Sequence, residues 1–127
     1  MKVESIELHR IGMPLVRPFE TSFGRETERV VLLVHLLTDV GEGWGECVAG
    51  STPSYSSEYV DGCAHVIEHH LAPLLFAVSD IRAAGLERLF APVVGHRITV
   101  TQTCQTFFTL RLRRTREALT LTIPKFT

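Results

Sequence analysis

A ten-residue stretch, Gly41-Glu42-Gly43-Trp44-Gly45-Glu46-Cys47-Val48-Ala49-Gly50, divides the chain: the residues before it read as sheet, and those after it read as helix. Its glycines at 41, 43 and 45 carry no Cβ, so the backbone can turn tightly and other groups can approach it closely. The single tryptophan stands in the middle, where its large apolar surface is expected to anchor a small core. Behind it, Ser51-Thr52-Pro53-Ser54-Tyr55 reads as an exposed loop. With 127 residues, the chain has the length of one domain able to bury a core. These features describe an α+β module and name no chemistry.

Upstream, Val3, Ile6, Leu8, Ile11, Met13 and Leu15 form an apolar series whose parity slips between Leu8 and Ile11. The two-residue period predicts a strand, and the slip predicts a bulge or bend near His9-Arg10. Pro14 and Pro18 are expected to close this strand or lie on an edge, because proline donates no ladder hydrogen bond. Residues 19–28 are expected to form a loop exposing Phe19 and Phe23 around Gly24. From Arg29 to Thr38 apolar residues run almost without alternation, the pattern of a strand buried on both faces. Asp39-Val40-Gly41 turns the chain, and residues 43–49 return as a third strand, completing a three-stranded antiparallel meander. Helices can cover one face of that sheet, so the second face calls for a partner surface.

Downstream, Ser56 or Ser57 is expected to cap a helix whose buried stripe is Val60, Ala64, Ile67, Leu71 and Leu74. Pro73 is expected to kink or end it. A second helix is predicted from Ser79-Asp80 through Ile81, Ala84, Leu86, Leu89 and Phe90 to Pro92. Beyond Ile98 the sequence turns threonine-rich and β-branched, which predicts a strand. Residues 99–110, with no proline and no charge, also have the composition of an aggregation-prone segment.

Several classes of protein are excluded or disfavoured by composition. No apolar run approaches the ~18 residues of a membrane span, and the first residues lack the apolar core of a signal peptide. Cys47, Cys63 and Cys104 are odd in number with no CxxC spacing, which argues against a disulfide frame or a cysteine zinc site. A cytoplasmic location is expected. Charge is uneven: residues 98–127 carry a net +4, leaving −5 for residues 1–97 of a chain that totals −1. A basic tail of this kind can bind phosphate, although so short a run is more commonly a solvated segment.

Among candidate catalytic groups, His65-Val66-Ile67-Glu68-His69 matches the H-x-x-E-H pattern of zinc hydrolases. The two histidines fall opposite the apolar stripe, away from any shaped cavity, and no third ligand is identifiable; a solvated helix face is the preferred reading. Gly41-x-Gly43-x-x-Glu46 lacks the third glycine of a dinucleotide fingerprint. Glu42 and Glu46 share one side of a strand roughly 13 Å apart, beyond the ~5–9.5 Å of glycosidase carboxyl pairs. Ser51 lacks the G-x-S-x-G elbow.

One set of segments carries a resemblance. Met1-Lys2-Val3-Glu4-Ser5-Ile6-Glu7-Leu8, Met13-Pro14-Leu15, and Pro18-Phe19-Glu20-Thr21-Ser22-Phe23-Gly24 resemble the start of o-succinylbenzoate synthase/N-acylamino acid racemase enzymes. Gly43-Trp44-Gly45-Glu46-Cys47-Val48-Ala49, Tyr55-Ser56-Ser57-Glu58-Tyr59 and Pro92-Val93-Val94-Gly95-His96-Arg97 continue it. These enzymes form part of the muconate lactonizing branch of the enolase superfamily, and the resemblance covers residues 1–97. It implies an N-terminal capping domain lying over the mouth of a barrel, with loops around Phe19, Thr21, Ser22 and Phe23, and around Gly50, Ser51 and Tyr55, closing over a small-molecule acid substrate. It implies no catalytic or metal-binding residue here: the family's lysines and its Asp/Glu/Asp ligands for Mg²⁺ or another divalent metal lie in the barrel. This chain has lysine only at Lys2 and Lys125. Residues 98–127 depart from the family pattern and read as a divergent or frame-altered end. The expected function is therefore a truncated, substrate-gating cap without activity of its own, partnered by a missing or separate barrel, with neither membrane nor nucleic acid as partner. The alternatives are a zinc hydrolase using His65, Glu68 and His69, or a binding module using the basic tail.

Overall fold

The computed structural model describes residues 1–108 and 111–112. Strand β1 (Val3–Thr21) pairs antiparallel with β2 (Gly24–Thr38), and β2 pairs antiparallel with β3 (Gly41–Cys47), giving the expected meander with the apolar strand at its centre. A two-residue strand, β4 (Arg111–Leu112), adds antiparallel to the outer edge of β3.

Both hairpins close with the same Thr-x-x-Gly chemistry. The Thr38 hydroxyl accepts from the Gly41 N–H at 3.1 Å and donates to the Gly41 carbonyl at 2.9 Å. At the other tip the Thr21 hydroxyl accepts from the Phe23 N–H at 3.2 Å, and Gly24 adopts φ 146°, a conformation only glycine enters without strain. Residues 19–28, expected as a loop, are thus mostly strand, with only Ser22 and Phe23 at the turn. Ladder pairing is strong enough here to override the loop signal of Gly24 and the prolines.

The bulge expected at His9-Arg10 is not there, since the register runs unbroken from Ser5 to Pro14. The irregularity lies between Pro14 and Phe19, where β1 advances five residues against two on β2. This is the segment in which Pro14 and Pro18 cannot donate to the ladder. The parity slip has another cause: Ile6 and Leu8 pack on the helix-covered core, while Ile11 lies on the opposite face with Glu7 and His9.

Along β2, Leu32, Val34, Leu36 and Thr38 are buried, whereas Leu33, His35 and Leu37 are half-buried. The strand is therefore fully covered on one face and only in part on the other, where Val31 is buried. Trp44 also corrects its expectation. It lies on the open face, 39% exposed, and the largest side chain of the core is Phe90.

Helix α1 (Val60–Val66) begins at Tyr59 without a side-chain cap; Ser56 instead accepts from the Glu58 N–H at 3.2 Å. Its core stripe is present, with Val60, Ile67 and Leu71 fully buried and Ala64 and Leu74 packed against them. Pro73 does not end the helix. A π-turn over Ile67–Leu71 widens it one turn before, and α2 (Ala72–Phe76) follows. The π-turn takes up the missing N–H and the ring clash that a proline brings to the preceding turn. The second predicted helix shrinks to a 3₁₀ turn (Ala83–Gly85) and α3 (Leu86–Leu89). Asp80, at its expected start, accepts from the Met1 ammonium at 2.8 Å.

The largest departure is α4 (Arg97–Phe108), a helix where a strand was expected. Thr99 and Thr103 are buried, and Val100 and Cys104 pack on the core. These residues recur at helical spacing, but as small, mostly polar side chains the stripe does not read as apolar. Residues 99–108 are accordingly a docked element and not an exposed aggregation-prone strand. The helix lies against β3. Gly41 and Gly43 are buried there, on the same face as Cys47, and their missing side chains let a helix lie close. Residues 113–127, with most of the basic cluster, lie outside the described residues. Among the described residues, no helix is long and apolar enough to cross a membrane.

Candidate functional site

The two segments expected to gate a substrate meet at one end of the sheet. The β1–β2 hairpin presents Phe19, Thr21, Ser22 and Phe23, all exposed, with Phe23 at the turn. The segment from Gly50 to Tyr59 leaves the sheet after β3 and returns to α1. Its base is closed by a bridge between Gly50 and Tyr59 and by the Val60 N–H donating to the Gly50 carbonyl at 2.9 Å. Gly50, Ser51 and Tyr55 are exposed on it. Phe23 and Tyr55 touch edge to face, with ring centroids 5.7 Å apart and planes at 74°. That contact is made by rings that are 71% and 85% exposed. Aromatic rings in this geometry attract through their quadrupoles by about 0.5–1.5 kcal/mol, so the pair couples the two segments without burying either. Phe19 sits two residues before Thr21, paired with Glu26 on β2, and is 59% exposed. The rings are flanked along the hairpin by Thr21, Ser22 and the Glu20–Arg25 ion pair (3.7 Å), giving an apolar patch with polar and charged edges.

His65, Glu68 and His69 form no such assembly. All three are exposed, the two imidazole rings lie 4.4 Å apart, and Glu68 reaches His69 at 3.7 Å. Glu68 lines a cavity with Ile6, Leu8, Ile67, Ala72 and Phe76, but neither histidine is part of its lining, in keeping with their place on the outer face of the helix. Replacing His65 and His69 together by alanine is expected to change stability by no more than ~0.5 kcal/mol, read from urea unfolding. A loss of several times that size would show a structural role.

Two clusters escaped sequence reasoning because each unites residues far apart in the chain. In the interior, Glu58 accepts hydrogen bonds from the Ile98 N–H (2.9 Å), the Thr99 N–H (2.8 Å) and the Thr99 hydroxyl (2.8 Å). It caps a helix forty residues away. Burial pushes its carboxyl up, but these three donors outweigh burial and hold it below the ordinary value. Cys63 and His96 complete this group, with His96 in a left-handed backbone conformation (φ 55°) and its buried Nδ1 without a hydrogen-bond partner. The neighbouring Cys63 and burial push the Cys47 thiol above its ordinary value. All three cysteines are free thiols.

On the open face of the sheet, Glu7 meets His35 Nδ1 at 3.2 Å and His9 Nε2 at 3.3 Å. The His35 hydrogen bond, with a smaller one from His9, holds the Glu7 carboxyl below its ordinary range. Among the described residues, these two clusters are the ones whose donor atoms lie close enough to share a metal ion. Neither is the lysine-flanked Asp/Glu/Asp set of the barrel chemistry, so the present residues do not fit that magnesium centre and no step through it is derived for them.

Comparison with known proteins agrees with this fold. No protein-family model matches the chain. An N-succinylamino acid racemase from an Amycolatopsis species is 52% identical over 98 residues, 77% of this chain and 27% of the racemase. An o-succinylbenzoate synthase from Enterococcus faecalis is 34% identical over 97 residues, 76% of this chain and 26% of the synthase. The chain thus spans about a quarter of the length of these relatives. Among solved structures, an enolase-superfamily member of unknown function from Enterococcus faecalis superposes with a TM-score of 0.75 at 29% identity, over 85% of this chain and 30% of that one. A muconate lactonizing enzyme from Pseudomonas fluorescens shares the fold, with a TM-score of 0.72 at 24% identity over 83% of this chain and 29% of that one. An antiparallel meander followed by helices, carried on a sequence that aligns with the N-terminal part of these enzymes, places the chain in the enolase superfamily, in its muconate lactonizing branch, as an N-terminal capping domain.

Proposed function

We propose that this domain is the substrate-gating cap of an enzyme like the o-succinylbenzoate synthases and N-acylamino acid racemases, and that the 127-residue chain by itself turns over neither kind of substrate. In this reading residues 1–97 are the cap proper and residues 98–127 a segment of different origin, whose first turns dock as α4. The barrel, with its divalent metal and its lysines, is the partner that supplies the chemistry on a small-molecule acid in the cytoplasm. The cap's contribution is to exclude water and hold the substrate. Phe19, Thr21, Ser22 and Phe23 from the hairpin, with Gly50, Ser51 and Tyr55 from the second loop, would form the lid.

The observation that carries this reading is the Phe23–Tyr55 contact. Two segments about thirty residues apart each present an exposed aromatic ring, and the fold brings those rings into contact. Exposed apolar rings rimmed by polar residues mark a binding surface, and a water-excluding lid needs surface of this composition.

The test joins residues 1–97 of this chain to the remaining three quarters of the Amycolatopsis racemase, in place of that enzyme's own matching segment. The fusion is expected to racemise N-succinylamino acids in the presence of Mg²⁺ or Mn²⁺, whereas the 127-residue chain shows no turnover. Within the fusion, changing Phe23 and Tyr55 together to alanine is expected to raise KM about tenfold, the equivalent of ~1.4 kcal/mol. A well-folded fusion whose kinetics ignore both rings would remove the gating role.

A further inference from the structure

The geometry points to a divalent transition-metal site on the open face of the sheet, formed by Glu7, His9 and His35. Sheet register builds it. Glu7 stands directly opposite His35, and His9, two residues on, projects from the same face. Glu7 Oε2 lies 3.2 Å from His35 Nδ1 and 3.3 Å from His9 Nε2, and the three donor atoms all fall within 4.8 Å of one another. A set of two imidazoles and one carboxylate, with remaining positions open to water, suits zinc, nickel, copper or iron. It does not suit magnesium, which takes oxygen ligands.

Two further contacts orient this group as a ligand set. His35 Nε2 meets Glu42 Oε2 at 3.0 Å from the other side. Metal binding displaces the proton that Nδ1 otherwise shares with Glu7; a proton on Nε2, donated to Glu42, then leaves the Nδ1 lone pair for the metal, and such carboxylate partners fix the tautomer of metal-binding histidines. Trp44, directly opposite His35 on β3, stacks on its ring with centroids 4.0 Å apart and planes at 10°, and His9 lies 5.6 Å from the same indole. The imidazole of His35 is thus held on one face by an aromatic ring and at both nitrogens by carboxylates. Its side chain is only 12% exposed, while Glu7 remains 49% exposed, so an ion enters from solvent on the Glu7 side. The site needs these side chains alone and does not depend on the gating role.

Zinc titrated into the full-length chain and followed by calorimetry is expected to bind at one equivalent. Copper or nickel at the same site is expected to quench Trp44, the one tryptophan of the chain. His9→Gln and Glu7→Gln, each with an unchanged circular dichroism spectrum, should abolish that stoichiometric binding. Glu42→Gln should weaken it about 10–100-fold, the usual cost of losing a partner that orients a ligand. Cys63→Ser and the double change His65→Ala/His69→Ala should leave it intact. The cobalt complex should lack a thiolate charge-transfer band. Binding that survives His9→Gln, or that disappears with Cys63→Ser, would overturn the assignment, as would the absence of zinc binding by the folded chain.

Discussion

Replacing Glu58 by alanine is expected to lower the unfolding free energy by about 3 kcal/mol, measured as a shift in the urea midpoint at unchanged slope. The side chain is 7% exposed and satisfies three donors at the start of α4. Its removal strands them, and each unsatisfied buried donor costs about 1–3 kcal/mol. The two groups on Thr99, which is fully buried, take most of that loss, because Ile98 is 41% exposed and its N–H can recover water. Glu58→Gln keeps the size and loses the charge, and is expected to fall between the two. If alanine costs less than 1 kcal/mol, α4 is held by packing and the cap is incidental.

The same group sets an acid limb of stability. Its folded-state pKa lies below its ordinary value of 4.5, because the three donors outweigh burial. A depressed pKa means that the unfolded chain takes up the proton more readily. The contribution is therefore complete above pH 4.5 and is lost as pH falls through the folded-state value. Urea midpoints between about pH 6 and about pH 3 should fall more steeply for the wild type than for Glu58→Gln. Parallel slopes would mean that other carboxylates govern acid unfolding.

Phe90→Ala is expected to cost about 3–5 kcal/mol, the range for truncating a large buried aromatic. Phe90 is 1% exposed and is the largest fully buried side chain of the core. It ends α3, a helix of only four residues whose other deep anchor is Leu86, also 1% exposed. So short a helix has no stability of its own, and its place is set by these two side chains. Hydrogen exchange should show the loss first at residues 86–90 and only later in β2. Uniform loss across both would show that the segment unfolds with the whole domain.

The sheet was legible because its code is local. The unbroken apolar run of β2, the Asp39-Val40-Gly41 turn and the spacing of Val60, Ile67 and Leu71 are each a signal that one element can satisfy by itself. The two segments proposed to gate a substrate were named as a pair only through likeness to known enzymes, and their contact through Phe23 and Tyr55 was not legible at all. Departures arose where local preference met tertiary context. Thr99, Val100, Thr103 and Cys104 have β-branched or neutral propensity, yet they form a helix because Glu58 caps it and β3 offers a face partly lacking side chains, while the buried Thr103 hydroxyl is satisfied by the Thr99 carbonyl at 2.7 Å. Trp44 looked like a core anchor by size. Only the register of β3 against β2 decided that it faces out, over His35. Sequence by itself determined the three-stranded order of the meander and the buried stripe of the first helix, since period and hydrophobicity are properties of neighbours in the chain. Which polar groups meet across twenty-eight or forty residues, in Glu7–His35 and Glu58–Ile98, was decided by the tertiary structure, because no local pattern carries the position of a distant partner.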